Sequence, residues 1–102
     1  MAKYLPSESA KEDLIRIHQY GTEKFSEKQA DKYFNEFFDC FETIAKNPFT
    51  FESMDYIRKG YRRCICGVDS VFFRLESEVV QIIAIVGKQD LDELKNSWQH
   101  SS

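Results

Sequence analysis

Val79-Val80-Gln81-Ile82-Ile83-Ala84-Ile85-Val86 decides how this chain folds. The run is apolar at successive positions rather than alternating ones, so both of its faces want burial, which is the mark of a central strand. Working outward, Glu76-Ser77-Glu78 separates it from Val71–Leu75, and Gly67-Val68-Asp69-Ser70 separates that run from Tyr56–Cys66. Three β-prone runs joined by short polar turns predict an antiparallel meander. At the other end of the chain, residues 2–6 are extended and finish at Pro6, as suits a short edge strand.

Two helices are expected between these strands. Ser7 is placed to cap the first, along which Ala10, Leu14, Ile17 and Gly21 mark one face, with Glu8, Glu12 and Asp13 at its positive N-terminal end. Gly21 lies in this stripe and either allows close packing or marks the last turn. Ser26-Glu27-Lys28-Gln29 is a capping-box pattern that opens the second helix. Ala30, Tyr33, Phe34, Phe37, Phe38, Phe41, Ile44 and Ala45 form a wide stripe before Asn47-Pro48 stops it. A link of a few residues around Phe25 makes the two an antiparallel hairpin. The order is β-α-α-β-β-β, an α+β domain over residues 1–102, with Phe37, Phe41, Ile44, Leu14 and Ile17 packed on one sheet face. Asp90–Lys95 has a helical flavour, a possible short C-terminal helix, and the chain from about residue 97 is expected to fray.

Composition narrows the function. A chain of 102 residues holds one core. It contains no apolar run long enough to cross a membrane, and Met1–Pro6 lacks the apolar stretch of a secretory signal. Three cysteines cannot complete a disulfide framework, so a reducing cytoplasm is the expected location. Charge is segregated: residues 1–57 carry 7 Lys/Arg against 11 Asp/Glu, whereas residues 58–88 carry 6 against 3. The β-rich half therefore offers cations to an anionic partner. The overall pI of about 5.4 weighs against generic nucleic-acid binding.

The cationic residues are Arg58, Lys59, Arg62, Arg63 and Arg74, with Tyr61, Phe72 and Phe73 as neighbours. On a continuous strand, alternation puts Arg58 and Arg62 on one face and Lys59, Tyr61 and Arg63 on the other. Two readings stand: a solvated face with one structural arginine pair, or a partner site. Phe34 and Phe38 belong to a stripe wider than one sheet contact requires, which leaves a ring or two for a partner. Cys64 and Cys66 share a strand face, with Cys40 a possible neighbour, but the chain offers too few further ligands for a metal. They read as small buried residues. No catalytic triad and no phosphate-cradling glycine motif is present, and no metal or other cofactor is expected.

Across residues 4–91 the chain resembles ParE toxins of the ParE/RelE superfamily. The resemblance rests on Tyr4, Ala10, Asp13-Leu14, Ile17, Tyr20, Gln29-Ala30, Tyr33, Ala45 and Asn47-Pro48. It continues through Arg58, Gly60-Tyr61-Arg62-Arg63, Gly67 and Val71-Phe72-Phe73-Arg74, in that order. It implies a helical hairpin laid on an antiparallel sheet, and a non-enzymatic toxin that poisons DNA gyrase and is neutralised by a cognate protein antitoxin. It implies no sequence-specific nucleic-acid binding by the toxin alone. Arg58, Lys59, Tyr61, Arg62, Arg63 and Arg74, with Phe34 and Phe38, become the expected antitoxin- or target-binding residues. Leu91 and Leu94 are expected to pack a C-terminal segment that shapes the target surface. RelE-like relatives instead cut mRNA on the ribosome, and there Tyr61, Arg63, Arg74 and Lys88 would be the candidate groups. Many relatives carry Arg, His and His where this chain has Ala84, Gly87 and Asp69, which weakens the nuclease reading. A third possibility is an inactive scaffold that only binds its antitoxin.

Overall fold

The computed structural model describes residues 3–87. The expected C-terminal helix, the frayed tail, Lys88, Leu91 and Leu94 lie outside the described residues. Within them the order is β1 (Lys3–Pro6), α1 (Glu8–Lys24), α2 (Glu27–Lys46), a 3-10 turn (Pro48–Thr50), β2 (Glu52–Ser53), β3 (Arg62–Cys66), β4 (Asp69–Glu76) and β5 (Val79–Gly87). The α+β class and the helical hairpin on a sheet are as expected. The sheet is mixed, in the order β1-β5-β4-β3-β2: β3, β4 and β5 form the antiparallel meander, while β1 runs parallel to β5.

Both helices start where the sequence says. Ser7 Oγ accepts the Ala10 N–H at 3.0 Å, and Ser26 Oγ accepts the Gln29 N–H at 3.1 Å, each satisfying a donor that the first helical turn leaves open. Gly21 settles into the close-packing role. A Cβ there would stand 3.3 Å from Ala30 Cβ, so its absence lets α1 and α2 approach closely. The core that follows holds Phe37, Phe41 and Ile44 of α2 and Ala10 and Leu14 of α1. These pack against Cys64, Cys66, Val71, Phe73, Val80, Ile82 and Ile85 of the sheet.

The expected strand from Tyr56 to Cys66 is shorter than its composition implies: β3 begins only at Arg62, and Arg58 and Lys59 are not on it. The cause is local. Asp55 Oδ1 accepts the Gly60 N–H at 2.8 Å, Gly60 has φ +88°, and Met54 O takes the N–H groups of Ile57 and Arg58. The segment thus closes on itself as a compact loop. Its Met54 is fully buried against Phe72 on the sheet face away from the helices, with Ile57, Tyr61, Ile83 and Val86 around them. A two-residue β2, absent from the sequence-based expectation, pairs Glu52 with Arg63 and Ser53 with Arg62.

The hairpins are tight. Gly67 is the first of two residues between β3 and β4 and has φ +62°, as a turn that needs glycine at its first central position demands. Its missing side chain also makes room: a Cβ would lie 2.6 Å from the Tyr33 ring and hydroxyl. Gly60 is also left-handed, but there a Cβ would meet only the Arg74 stem at 3.9 Å. Gly67→Ala therefore combines backbone strain with a clash and should cost about 2 to 4 kcal/mol. Gly60→Ala should cost only about 1 to 2 kcal/mol from strain alone. Urea denaturation of the two variants beside the parent checks the difference; equal losses would refute the role given to Tyr33.

Candidate functional site

Strand alternation divides the cations that the sequence groups together. Arg62 pairs across from Phe73 and lies on the helix side, while Arg63 pairs across from Phe72 and lies on the opposite, open side, where Arg74 joins it. Arg62 Nη1 donates to Phe51 O at 2.8 Å, and its guanidinium stands 5.1 Å from the Phe49 ring centroid. It holds the turn after α2 onto the sheet edge. The expectation that Arg58 and Arg62 share a strand face, with Lys59 beside Arg63 on the other, is thus corrected. Gly60 and Asp55 turn the chain before the strand begins, leaving Arg58 and Lys59 exposed on the loop.

On the open side the structure brings together Tyr61, Arg63 and Arg74. Tyr61 packs on the Met54–Phe72 cluster. Arg63 Nη2 donates to Glu52 Oε2 at 2.6 Å, with only 13% of its side chain exposed, and Arg74 Nη2 donates to Glu76 Oε2 at 2.9 Å. The Nε of each arginine is buried and makes no hydrogen bond among the described residues. Each guanidinium is therefore tied to a carboxylate at its outer end, while its Nε lies covered by the surrounding side chains. Around the loop, Gly60 N–H first and the Ser53 hydroxyl second hold the Asp55 carboxyl below its ordinary range, with Arg62 and Lys59 adding to the effect. Glu52, Asp55 and Glu76 thus temper the five cations, and the surface is mixed in charge.

A second feature lies on the helix side. The C-terminal half of α1, the N-terminal half of α2 and the β3–β4 turn enclose a groove of about 910 Å³ that takes in Tyr20, Gly21, Phe25, Ala30, Tyr33 and Val68. Tyr20, Phe25 and Val68 are 59%, 75% and 75% exposed, a concentration of apolar surface that the core does not use. Phe34 and Phe38, the rings marked for a partner, are half-buried. They stack edge-to-face at 5.2 Å between centroids, with His18 on one side and Phe41 on the other.

The groove floor is fixed by Tyr33, whose hydroxyl donates to Asp69 Oδ2 at 2.7 Å and lies 2.9 Å from Cys66 O. Burial first, and then the Asp69 hydrogen bond, raise its pKa well above the ordinary value, so the phenol stays protonated and donating. Asp69, noted in the sequence only for replacing a histidine, thereby ties the β3–β4 turn to α2. No cluster of His, Cys, Asp and Glu suited to a metal ion occurs among the described residues, and no described helix is long and apolar enough to cross a membrane.

A family profile described as "ParE toxin of type II toxin-antitoxin system, parDE" matches residues 4–92. The chain belongs to this ParE toxin family. Among its ParE relatives, "Toxin ParE1" of Caulobacter vibrioides is 33% identical over 85 residues, spanning 81% of this chain and 88% of that protein. "Toxin ParE1" of Mycobacterium tuberculosis is 28% identical over 95 residues, spanning 93% and 97%. A solved chain described as "Chromosomal ParDE TA system from P. aeruginosa" superposes with a TM-score of 0.75 at 17% identity, covering 85% of this chain and 96% of that one. At that identity the likeness is one of fold.

Sequence reasoning missed two contacts to β5 at the start of α1. Ser7 Oγ donates to Ile83 O at 2.7 Å besides capping the helix, and Asp13 Oδ2 accepts the Ile85 N–H at 3.0 Å. Sequence offered little signal for the second contact, because Asp13 reads as one more acid near a helix start beside Glu8 and Glu12. The division of the arginines has a measurable consequence. Arg62→Ala, which loses a carbonyl hydrogen bond and a ring contact, should lower stability by about 1 to 2 kcal/mol. Arg58→Ala and Lys59→Ala should stay within about 0.5 kcal/mol of the parent. Denaturant midpoints of the three variants report this directly, and a neutral Arg62→Ala would mean that the Phe51 anchor contributes nothing.

Proposed function

We propose that this chain arrests bacterial growth from the cytoplasm by poisoning DNA gyrase, and that a cognate ParD-type antitoxin holds it inactive. The family match over residues 4–92 carries the reading. The likeness in fold to a chain of the P. aeruginosa ParDE system supports a ParD-type partner. The surface offers two kinds of docking chemistry for that partner. The groove between Tyr20, Phe25 and Val68 suits the apolar face of an amphipathic helix. The outer edge of β3 beyond Arg63, which β2 does not pair, suits an added strand. A segment that orders on binding loses several kcal/mol of conformational freedom, which large buried area offsets.

The target surface in this reading is the open side of the sheet. Arg63 and Arg74 bring their guanidinium groups there, Tyr61 supplies an apolar shoulder, and Arg58 and Lys59 add charge from the loop. Cations of this kind steer and orient an acidic surface more than they add affinity. The toxin acts by binding and carries out no bond cleavage itself. Two features favour binding over ribosome-dependent RNA cleavage. Both open-side guanidinium groups are paired with carboxylates, and Ala84 and Gly87 add no titratable group to the last strand. Cleavage next to a 2′-hydroxyl needs a positioned acid or base and cations free to meet the phosphate.

Purified protein mixed with gyrase, ATP and supercoiled plasmid should accumulate linear DNA once the enzyme is denatured, and the antitoxin should suppress it. An Arg63→Ala/Arg74→Ala double variant with a native unfolding midpoint should lose at least tenfold in linear product. Full poisoning by that variant would remove the open side from the target surface. Growth arrest without linear DNA, accompanied by cut mRNA on ribosomes, would replace gyrase with the RelE-type reaction. No arrest despite tight antitoxin binding would leave a scaffold.

A further inference from the structure

The proposed function leaves three thiols unused. Cys64 and Cys66 alternate onto the helix side of β3 and are buried, whereas Cys40 on α2 is half-buried. The thiol of Cys66 donates to Glu36 O at 3.8 Å. Glu36 lies one helical turn before Cys40, so this carbonyl is the one that receives the Cys40 N–H in α2. Helical side chains tilt toward the N-terminus, which carries the Cys40 side chain back over that same turn. Cys66 and Cys40 therefore meet above one carbonyl; Cys64 also stands close to Cys40, but its thiol is turned along its own strand and donates to Ile65 O at 3.8 Å.

The three thiols differ in reactivity. Burial, followed by contact with Cys40, raises the Cys66 thiol well above its ordinary value, and burial pushes Cys64 up to about 11. Both stay protonated at neutral pH, so neither is the first thiol to attack a peroxide. Cys40, the one reached by solvent, is the thiol positioned to meet a small oxidant first.

We propose that Cys40 and Cys66 are an oxidative modification site, at which hydrogen peroxide converts the pair to a reversible disulfide that fastens α2 to β3. In the first step the Cys40 sulfur attacks one peroxide oxygen, the O–O bond breaks, and Cys40 becomes a sulfenic acid with release of water. In the second, the Cys66 sulfur attacks the Cys40 sulfur, the S–O bond breaks, and the departing hydroxyl leaves as a second water with the Cys66 proton. Two thiols lose two electrons and two protons, and one peroxide takes them up. A dithiol reductant reverses the bond by exchange. Cys64 stays a free thiol throughout and does not enter the bridge.

The test treats the reduced, purified chain with peroxide, alkylates remaining thiols under denaturing conditions, and maps the peptides by mass spectrometry. One alkylated cysteine, Cys64, and a peptide joining Cys40 to Cys66 within a monomer is the expected result. The oxidised protein should melt on the order of 10 °C higher than the reduced one, as closure of a loop of this length implies, and a dithiol should return it to the starting value. Cys64→Ser should still form the bridge, while Cys40→Ser and Cys66→Ala should not. The unmodified chain's peptide map decides the matter if either of the last two folds poorly. Three alkylated cysteines, a Cys40–Cys64 link, a Cys40–Cys40 dimer, or sulfinic acid at Cys40 without a bridge would each overturn the proposal.

Discussion

Beyond Pro6, β5 is paired with β4 on one edge but has no strand on the other, yet Ile82 and Ile85 are buried and the backbone of that open edge needs partners. Helix α1 provides them. Ser7 donates its own N–H toward Ile82 and its hydroxyl toward Ile83, while Asp13 accepts from Ile85 N. Two polar side chains of a helix thus stand in for the missing strand, at the stretch where the β4–β5 register shifts between Phe72 and Phe73. Everything on the helix side follows from that grip. It sets α1 on the sheet, Gly21 against Ala30 then sets α2 on α1, and Tyr33 returns from α2 to the β3–β4 turn. The chain of contacts is closed.

The sheet separates two kinds of work. Its helix side is a packed apolar core, and at its rim Arg62 and Tyr33 hold backbone carbonyls. Its open side has a smaller cluster around Met54 and Phe72 and carries charged groups whose pairing is incomplete. Val71, Phe72 and Phe73 are consecutive and all buried, so β4 is the strand that both sides share. Rigidity of that kind suits a surface whose task is to bind without rearranging, because little ordering is lost when the partner arrives.

Much of the architecture was legible from periodicity and punctuation. The apolar run Val79–Val86 announced the central strand, Ser7 and Ser26 announced the helix starts, and Asn47-Pro48 announced the end of α2. The parallel pairing of β1 was not legible, because direction depends on where the intervening helices return the chain. The loop from Met54 to Tyr61 was hidden by β-prone residues: the Gly60 N–H bond to Asp55 and the Ile57 and Arg58 N–H bonds to Met54 O overrode the propensity of Tyr56 and Ile57. That error carried into the site, since it placed Arg58 and Lys59 on a strand. Arg63 and Arg74 were recognised by type, but their separation from Arg62 followed only from the register of β3 on β4. Asp13, a site of fold rather than of function, looked in sequence like one more acidic residue near a helix start.

The pairing of Lys3 with Val79 has a consequence in time. Strand β1 finds its partner only in β5, the last of the described strands to be made, and β5 also supplies the backbone groups that Ser7 and Asp13 hold. Contacts so distant along the chain form late, after the entropy of closing a long loop has been overcome. A nascent chain therefore cannot finish either face of this molecule piecemeal. Both clusters draw on β5, so the two faces come into being together, once that strand has been made.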